Sequence, residues 1–189
     1  MNKNIGLFFG TFDPLHNGHI AIAKYFLKKL NLDQIWLVIT PISPHKQANK
    51  LTNYYTRFKI INNYCKKNSK IICSDIEFNL KPPYNTSDTL IYLNKKYPKI
   101  DFKIILGEDN LNTLHLWSNY ELILEHKICV YPRKSASKEK SKLISHPNVN
   151  LYNAPIMEIS STLIRKNILE KTSISHLVPK EIEEMLIEK

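Results

Sequence analysis

Glycine is scarce in this sequence, with four residues in 189. Glycine marks turns and close backbone approaches, and two of the four, Gly10 and Gly18, fall within one short stretch, GTFDPLHNGH (10–19). Cysteine is sparse as well. Cys65, Cys73 and Cys129 are odd in number and form no CxxC pair or zinc-ligand spacing, which argues against a disulfide framework and for buried or idle thiols. No apolar run approaches the roughly 18 residues of a membrane span, and MNKN passes into the first apolar run without a signal segment. A soluble, cytoplasmic protein without a membrane partner is expected. Repeats and linkers are lacking too, so a 43 % hydrophobic chain is expected to form one domain over 1–189, with a C-terminal helical portion from about 160 packed on it. Acidic residues are the last shortage: 17 against 27 Lys and Arg, a net charge of +10. Biased codon usage accounts for much of such a Lys-, Asn- and Ile-rich balance. The functional component is attraction of anions, nucleotides or nucleic acid, which charge alone does not separate.

What the chain does have is regular alternation. IGLFF (5–9) reads as a strand, followed by a helix in which Ile20, Ala23, Leu27 and Leu30 recur at helical spacing. QIWLVIT (34–40) is a buried strand stopped by Pro41 and Pro44. A helix from Thr52 turns Tyr55, Phe58 and Ile60 or Ile61 inward, and 70–75 is a third strand. Thr86 or Ser87 caps a helix with Leu90, Ile91 and Leu93 on its apolar face. A fourth strand follows within 101–110, a helical stretch over 110–124, a fifth strand over 126–133 and a sixth over 148–155. A helix opens in the Ser and Thr cluster of 158–171, and Pro179 sits in the first turn of the last one. This order predicts an α/β fold, a Rossmann-like, doubly wound parallel sheet with helices on both faces. Ligands of such sheets lie beyond the carboxyl ends of the strands, so GTFDPLHNGH, PISPHK, YNTSDT, GEDN, YPRK and EISST should converge there.

The first of these loops suits a phosphate. Gly10 lets the backbone come close, Pro14 stiffens the descent into the helix, and the exposed N–H groups of a helix start favour an anion. His16 and His19 share one face of the first turn, where two ring donors can hold phosphate oxygens as charge grows. Gly18 keeps bulk away from the space around the rings, and Asp13 orients the loop or a neighbouring cation. A chance HxxH pair or a metal site is the competing explanation; the strand–Gly–Pro–helix context opposes the first, and the lack of a third ligand at useful spacing opposes the second. ISSTLIR (159–165) repeats the arrangement, with Ser160, Ser161 and Thr162 at a helix start and Arg165 a turn later. Alone it would pass for a capping sequence.

Together the two motifs resemble those of the nucleotidylyltransferases, a group related in fold to class I aminoacyl-tRNA synthetases by its HxGH signature. Within that group the chain is similar to the bacterial nicotinate-nucleotide adenylyltransferases: SPHK, YNTSDTL, LGEDNLNTLHLW and YPRK occur in that family's order and rough spacing, down to the terminal LVPKEIEEMLIEK. The resemblance implies transfer of AMP from ATP to the 5′-phosphate of nicotinate mononucleotide, with Mg²⁺ held mainly by ATP and water and no protein metal site. Positioning and charge compensation would carry the reaction. His16, His19, Lys46 and Arg165 would be the catalytic set. Gly10, Thr11 and Phe12, with His16 and His19, would meet ATP. Gly107 and Asp109 would lie near its ribose, and Ile159, Ser160, Ser161 and Arg165 would complete its site. Thr86, Trp117, Arg133 and Lys46 would hold the mononucleotide, with Trp117 stacking on the pyridine or, alternatively, buried in an apolar helix; Tyr84 is a further candidate. Phe9, Ser43 and Glu108 stand where the family usually carries glycine, proline and alanine. KSASK (134–138) matches the synthetase KMSKS loop poorly and is assigned no role.

Two rivals remain at this stage. A same-fold enzyme could act on nicotinamide mononucleotide or phosphopantetheine. A basic RNA-binding module is disfavoured because aromatic and basic residues are not interleaved into a platform, so no nucleic-acid partner is expected. Monomer and homo-oligomer are equally open.

Overall fold

The computed structural model describes residues 3–42, 51–133 and 141–187. In chain order the elements are β1 (Lys3–Gly10), α1 (Asn17–Lys29), β2 (Gln34–Ile39), α2 (Tyr54–Cys65), β3 (Ile71–Ser74), α3 (Thr86–Lys96) and β4 (Ile100–Gly107). They continue as α4 (Glu108–Thr113), α5 (Tyr120–Leu124), β5 (Lys127–Tyr131), β6 (Val149–Leu151), α6 (Ser161–Leu169) and α7 (Lys180–Ile187), with short 3-10 turns between some of them. Six parallel strands form one sheet in the order β3-β2-β1-β4-β5-β6.

Strand side chains alternate between two cores because the pleat has a period of two. From β1, Phe8 joins one core, and Ile5 and Leu7 join the other. On the Phe8 side the sheet is covered by α1, α2, α6 and α7 through Ile20, Ala23, Phe26, Ile60, Ile61, Ile164 and Ile182. On the opposite side α3, α4 and α5 contribute Leu90, Leu93, Leu111, Ile123 and Leu124. This is the doubly wound arrangement that the alternation predicts. The chain runs outward from β1 through β2 to β3, then returns to the other flank of β1 at β4. That reversal opens a crevice at the carboxyl ends of β1 and β4.

Local readings differ from the structure where tertiary contacts overrule a pattern. Tyr55 is 62 % exposed and Ile91 52 % exposed, while Ile60 and Ile61 are both buried; Leu27 and Leu30 only flank the core. Asn85, not Thr86 or Ser87, occupies the cap position of α3, and Ser87 is instead buried, its hydroxyl donating to the Ser118 carbonyl (3.0 Å). The stretch 110–124 is not one helix but α4, a 3-10 turn at Leu114–Leu116 and α5. The sixth strand shrinks to Val149–Leu151. The following chain stays irregular up to Ser160. Pro179 just precedes α7 and its carbonyl accepts from the N–H groups of Ile182 and Glu183 (both 3.0 Å).

Candidate active site

The loop between β1 and α1 is shaped by its own side chains. A Cβ on Gly10 would meet the Phe12 ring at 2.9–3.1 Å, so this glycine makes room for a phenylalanine rather than for a ligand directly. Phe12 has a φ of 45°, left-handed backbone that a bulky residue rarely adopts. Its ring meets the His19 ring edge-on, centroids 5.0 Å apart. His16 also packs on His19, stacked with centroids 3.6 Å apart and planes 26° from parallel.

His16 is also the N-cap of α1, with its ring accepting from the His19 N–H and the His19 ring accepting from the His16 N–H. Both bonds end on Nδ1, each at 3.4 Å, so in the neutral rings the proton resides on Nε2. Burial, assisted by the positive charge of Arg133, pulls the His16 imidazole from 6.5 down to about 4. At neutral pH His16 is therefore an uncharged donor. Gly18 serves the same pair: a Cβ there would press on the His16 ring at 3.0 Å.

Beyond the histidines lies a cleft of about 600 Å³, lined by Phe9, Gly10, Thr11, Phe12, His19, Thr40, Tyr84, Thr86, Gly107, Asp109, Trp117, Arg133 and Ser161 among others. A smaller recess of about 40 Å³ sits on the far side, against His16, Gly18, Met157 and Ile159. His19, Tyr131 and Arg133 border both. Five of the six expected loops thus reach the cleft. The sixth, PISPHK, abuts it at Thr40, but Lys46 and Ser43 lie outside the described residues. Phe9 faces the cleft, whereas Glu108 begins α4.

The C-terminal motif meets the N-terminal one. Ser161 Oγ donates to the Pro14 carbonyl (3.0 Å) and Arg165 Nη1 to the Asp13 carbonyl (2.6 Å), while Ser160 Oγ caps α6 by accepting from the Leu163 N–H (3.1 Å). Arg165, which the resemblance assigns to the polyphosphate, holds the histidine loop and Thr162 Oγ1 with its guanidinium. Trp117 is half-buried, packing on one core while lining the cleft.

Arg133, expected on the mononucleotide side, lines the cleft with Thr86 and Trp117 and also faces Asp109, expected at the ribose. Its Nε lies 3.7 Å from Asp109 Oδ1, its Nη2 donates to Tyr131 Oη (3.0 Å), and its guanidinium covers the Tyr131 ring. A Cβ at Gly107 would push the Asp109 carboxylate aside, so the glycine leaves Asp109 room beside Arg133. Asp13 does orient the loop, accepting from the Thr52 N–H (3.1 Å), and the cation near it is Arg57. Sequence reasoning missed Arg57 altogether. It sits among helix-spaced apolar residues of α2, and nothing local marks a buried arginine. Among the described residues no group of three or more His, Cys, Asp or Glu is arranged to hold a metal, and no helix is long and apolar enough to cross a membrane.

The family model described as cytidylyltransferase-like matches residues 7–167. A probable nicotinate-nucleotide adenylyltransferase of Flavobacterium johnsoniae is 46 % identical over 183 residues, covering 96 % of this chain and 95 % of that protein. One from Flavobacterium psychrophilum is 45 % identical over 179 residues, covering 94 % and 93 %. Among solved structures, the Plasmodium falciparum nicotinic acid mononucleotide adenylyltransferase complexed with APC superposes with a TM-score of 0.78 at 26 % identity, covering 98 % of this chain and 95 % of that one. From its paired histidine loop to its C-terminal Ser and Arg motif, the chain belongs to the cytidylyltransferase-like family, in the group of the nicotinate-nucleotide adenylyltransferases.

Proposed function

We propose that this chain transfers AMP from ATP to the 5′-phosphate of nicotinate mononucleotide, giving nicotinate adenine dinucleotide and pyrophosphate in NAD biosynthesis. The carrying observation is the junction of the two motifs. His16 and His19 stack at 3.6 Å on the wall between a large cleft and a small recess, and α6 is fastened to the same loop through Ser161 and Arg165. The names of the relatives at 45 % and 46 % identity support the substrate assignment.

In this reading the acceptor occupies the large cleft, its ring beside Trp117 and Thr86. The adenosine lies toward Ile159 and Gly107, and the triphosphate crosses His16, His19, Thr11 and Phe12 near the starts of α1 and α6. No nucleophile is required of the protein, because the acceptor phosphate attacks the α-phosphorus itself. The Nε2–H groups of the uncharged His16 and of its stacked partner His19 donate to phosphate oxygens as charge accumulates, and Arg133 adds positive charge at the same wall. The family resemblance assigns Lys46 and Arg165 to the polyphosphate as well, and Arg165 would act through the histidine loop that its guanidinium holds. Mg²⁺, carried in on ATP oxygens and water, would neutralise the departing pyrophosphate. Three free thiols suit a reducing compartment, and we place the enzyme in the cytoplasm.

The test is purified protein with Mg²⁺ and ATP offered nicotinate mononucleotide, nicotinamide mononucleotide and phosphopantetheine in parallel, with pyrophosphate release as readout. The nicotinate acceptor should give the highest kcat/KM. Preference for either other acceptor reassigns the substrate, and salt-sensitive RNA binding without any transfer would discard the enzyme reading.

A further inference from the structure

Beneath the histidine loop lies a charge that the proposed chemistry does not use. Arg57, on α2, is 2 % exposed, and its planar fork donates to four main-chain carbonyls. Nε reaches Thr52 (2.9 Å), Nη2 reaches Pro41 (2.6 Å), and Nη1 serves both Thr11 and Thr40, the latter at 3.0 Å. A guanidinium stays charged in a protein, and burial opposes that charge while Asp13 supports it. Burying a cation is costly unless its donors are satisfied. Here they are, by carbonyls from three separate segments of chain. Thr11 and Thr40 follow the ends of β1 and β2, where the ladder has run out and a buried carbonyl needs another donor.

The acceptors are distributed around the nucleotide side of the cleft. Thr11 lies on the loop that the triphosphate crosses in the proposed reading, Thr40 lines the cleft beside it, and Pro41 follows Thr40 directly. A trans peptide is planar with its carbonyl and N–H opposed, so drawing the Thr11 carbonyl toward Arg57 turns the Phe12 N–H the other way. Phe12 is the residue at φ 45° whose ring abuts His19. Strained backbone of this kind persists where its surroundings hold it. A lysine would not serve, because an ammonium offers its donors from one point and cannot span carbonyls on three segments.

We propose that Arg57 is a positioning residue for the nucleotide half of the reaction, clamping the Thr11 carbonyl so that the Phe12 N–H and the His19 ring stand where the phosphates of ATP arrive. The proposal rests on the reading that Thr11 and Phe12 face ATP.

Arg57→Lys and Arg57→Gln, checked for folding by circular dichroism and thermal midpoint, would be titrated calorimetrically with ATP alone and then assayed with both substrates. The expected result is a rise of about 10-fold or more in the ATP Kd and a fall of about 10- to 100-fold in kcat, with the acceptor KM little changed. A folded variant with lowered thermal midpoint but unaltered ATP Kd and kcat makes Arg57 merely structural, and equal weakening of both substrates overturns the assignment to the nucleotide. A second measurement needs no variant: ATP added to ¹⁵N-labelled wild-type protein should move the Phe12 amide resonance, and an unmoved resonance defeats the clamp. Wild-type protein that moves Phe12 on adding ATP yet transfers to no acceptor would sink the proposed function and leave this inference standing. Normal dinucleotide synthesis by Arg57→Lys would do the reverse.

Discussion

Capping a helix with two imidazoles is an unusual use of histidine, since the reciprocal box at a helix start is ordinarily built from Ser or Thr and Glu or Gln. In this chain it accomplishes something that a serine could not. Committing both Nδ1 atoms to backbone N–H groups fixes the tautomer, and burial keeps His16 uncharged at about 4. The supporting residues act in series: Gly10 admits the Phe12 ring, Phe12 braces His19, and Gly18 leaves room for His16. Removing the final donor should therefore be expensive for the transition state. His19→Ala is expected to lower kcat about a hundredfold or more, measured as pyrophosphate release by folded protein. Near-normal turnover would strip His19 of that role.

At the scale of elements, the interruption of 110–124 places Trp117. As one continuous helix, the periodicity of Leu111, Leu114 and Leu116 would bury the indole or leave it on a solvent face. Instead α4 ends at Thr113, a 3-10 turn carries Leu114 inward and Leu116 outward, and Trp117 follows in extended backbone (φ −81°, ψ 146°). That geometry sets the ring on the wall of the cleft that Tyr84 and Thr86 also line. Trp117→Ala should raise the acceptor KM at least about fivefold while leaving the ATP KM nearly unchanged. Steady-state kinetics with each substrate varied in turn checks this; equal weakening of both, with a lower thermal midpoint, would mean that the indole serves the core.

Across the whole molecule, two buried ionisable groups oppose each other. His16 titrates at about 4 in the folded chain and 6.5 unfolded, so its contribution is complete above pH 6.5 and is lost as pH falls toward 4. Glu77, 1 % exposed beneath Thr89, is pushed by burial from 4.5 to about 7, against the hydrogen bonds of Thr89 and Thr40. Its contribution is complete below pH 4.5 and is lost as pH rises through 7. From these two groups the slopes nearly cancel between pH 4.5 and 6.5. Glu77→Gln removes one of them, and its unfolding free energy should then climb by about 2–3 kcal/mol across that window relative to wild type. Denaturant melts at a series of pH values would show it, and parallel profiles for the two proteins would refute the opposition.

The sequence by itself determined the alternation of strands and helices, the doubly wound sheet and the loop that holds the histidines, because these depend on local periodicity and on glycine and proline at fixed points. It also marked the helix start at Ser160 and Ser161, since a cap is a local feature. Tertiary structure alone decided what those residues touch. Arg57 reads locally as a surface arginine on a helix, and only the meeting of Thr11, Thr40, Pro41 and Thr52 around it makes a buried cation tolerable. Likewise Arg133 and Asp109 are 24 residues apart in sequence, yet the pairing of β4 with β5 brings them together. Periodicity reports which face of an element is apolar; which polar groups will share that face depends on segments distant in sequence.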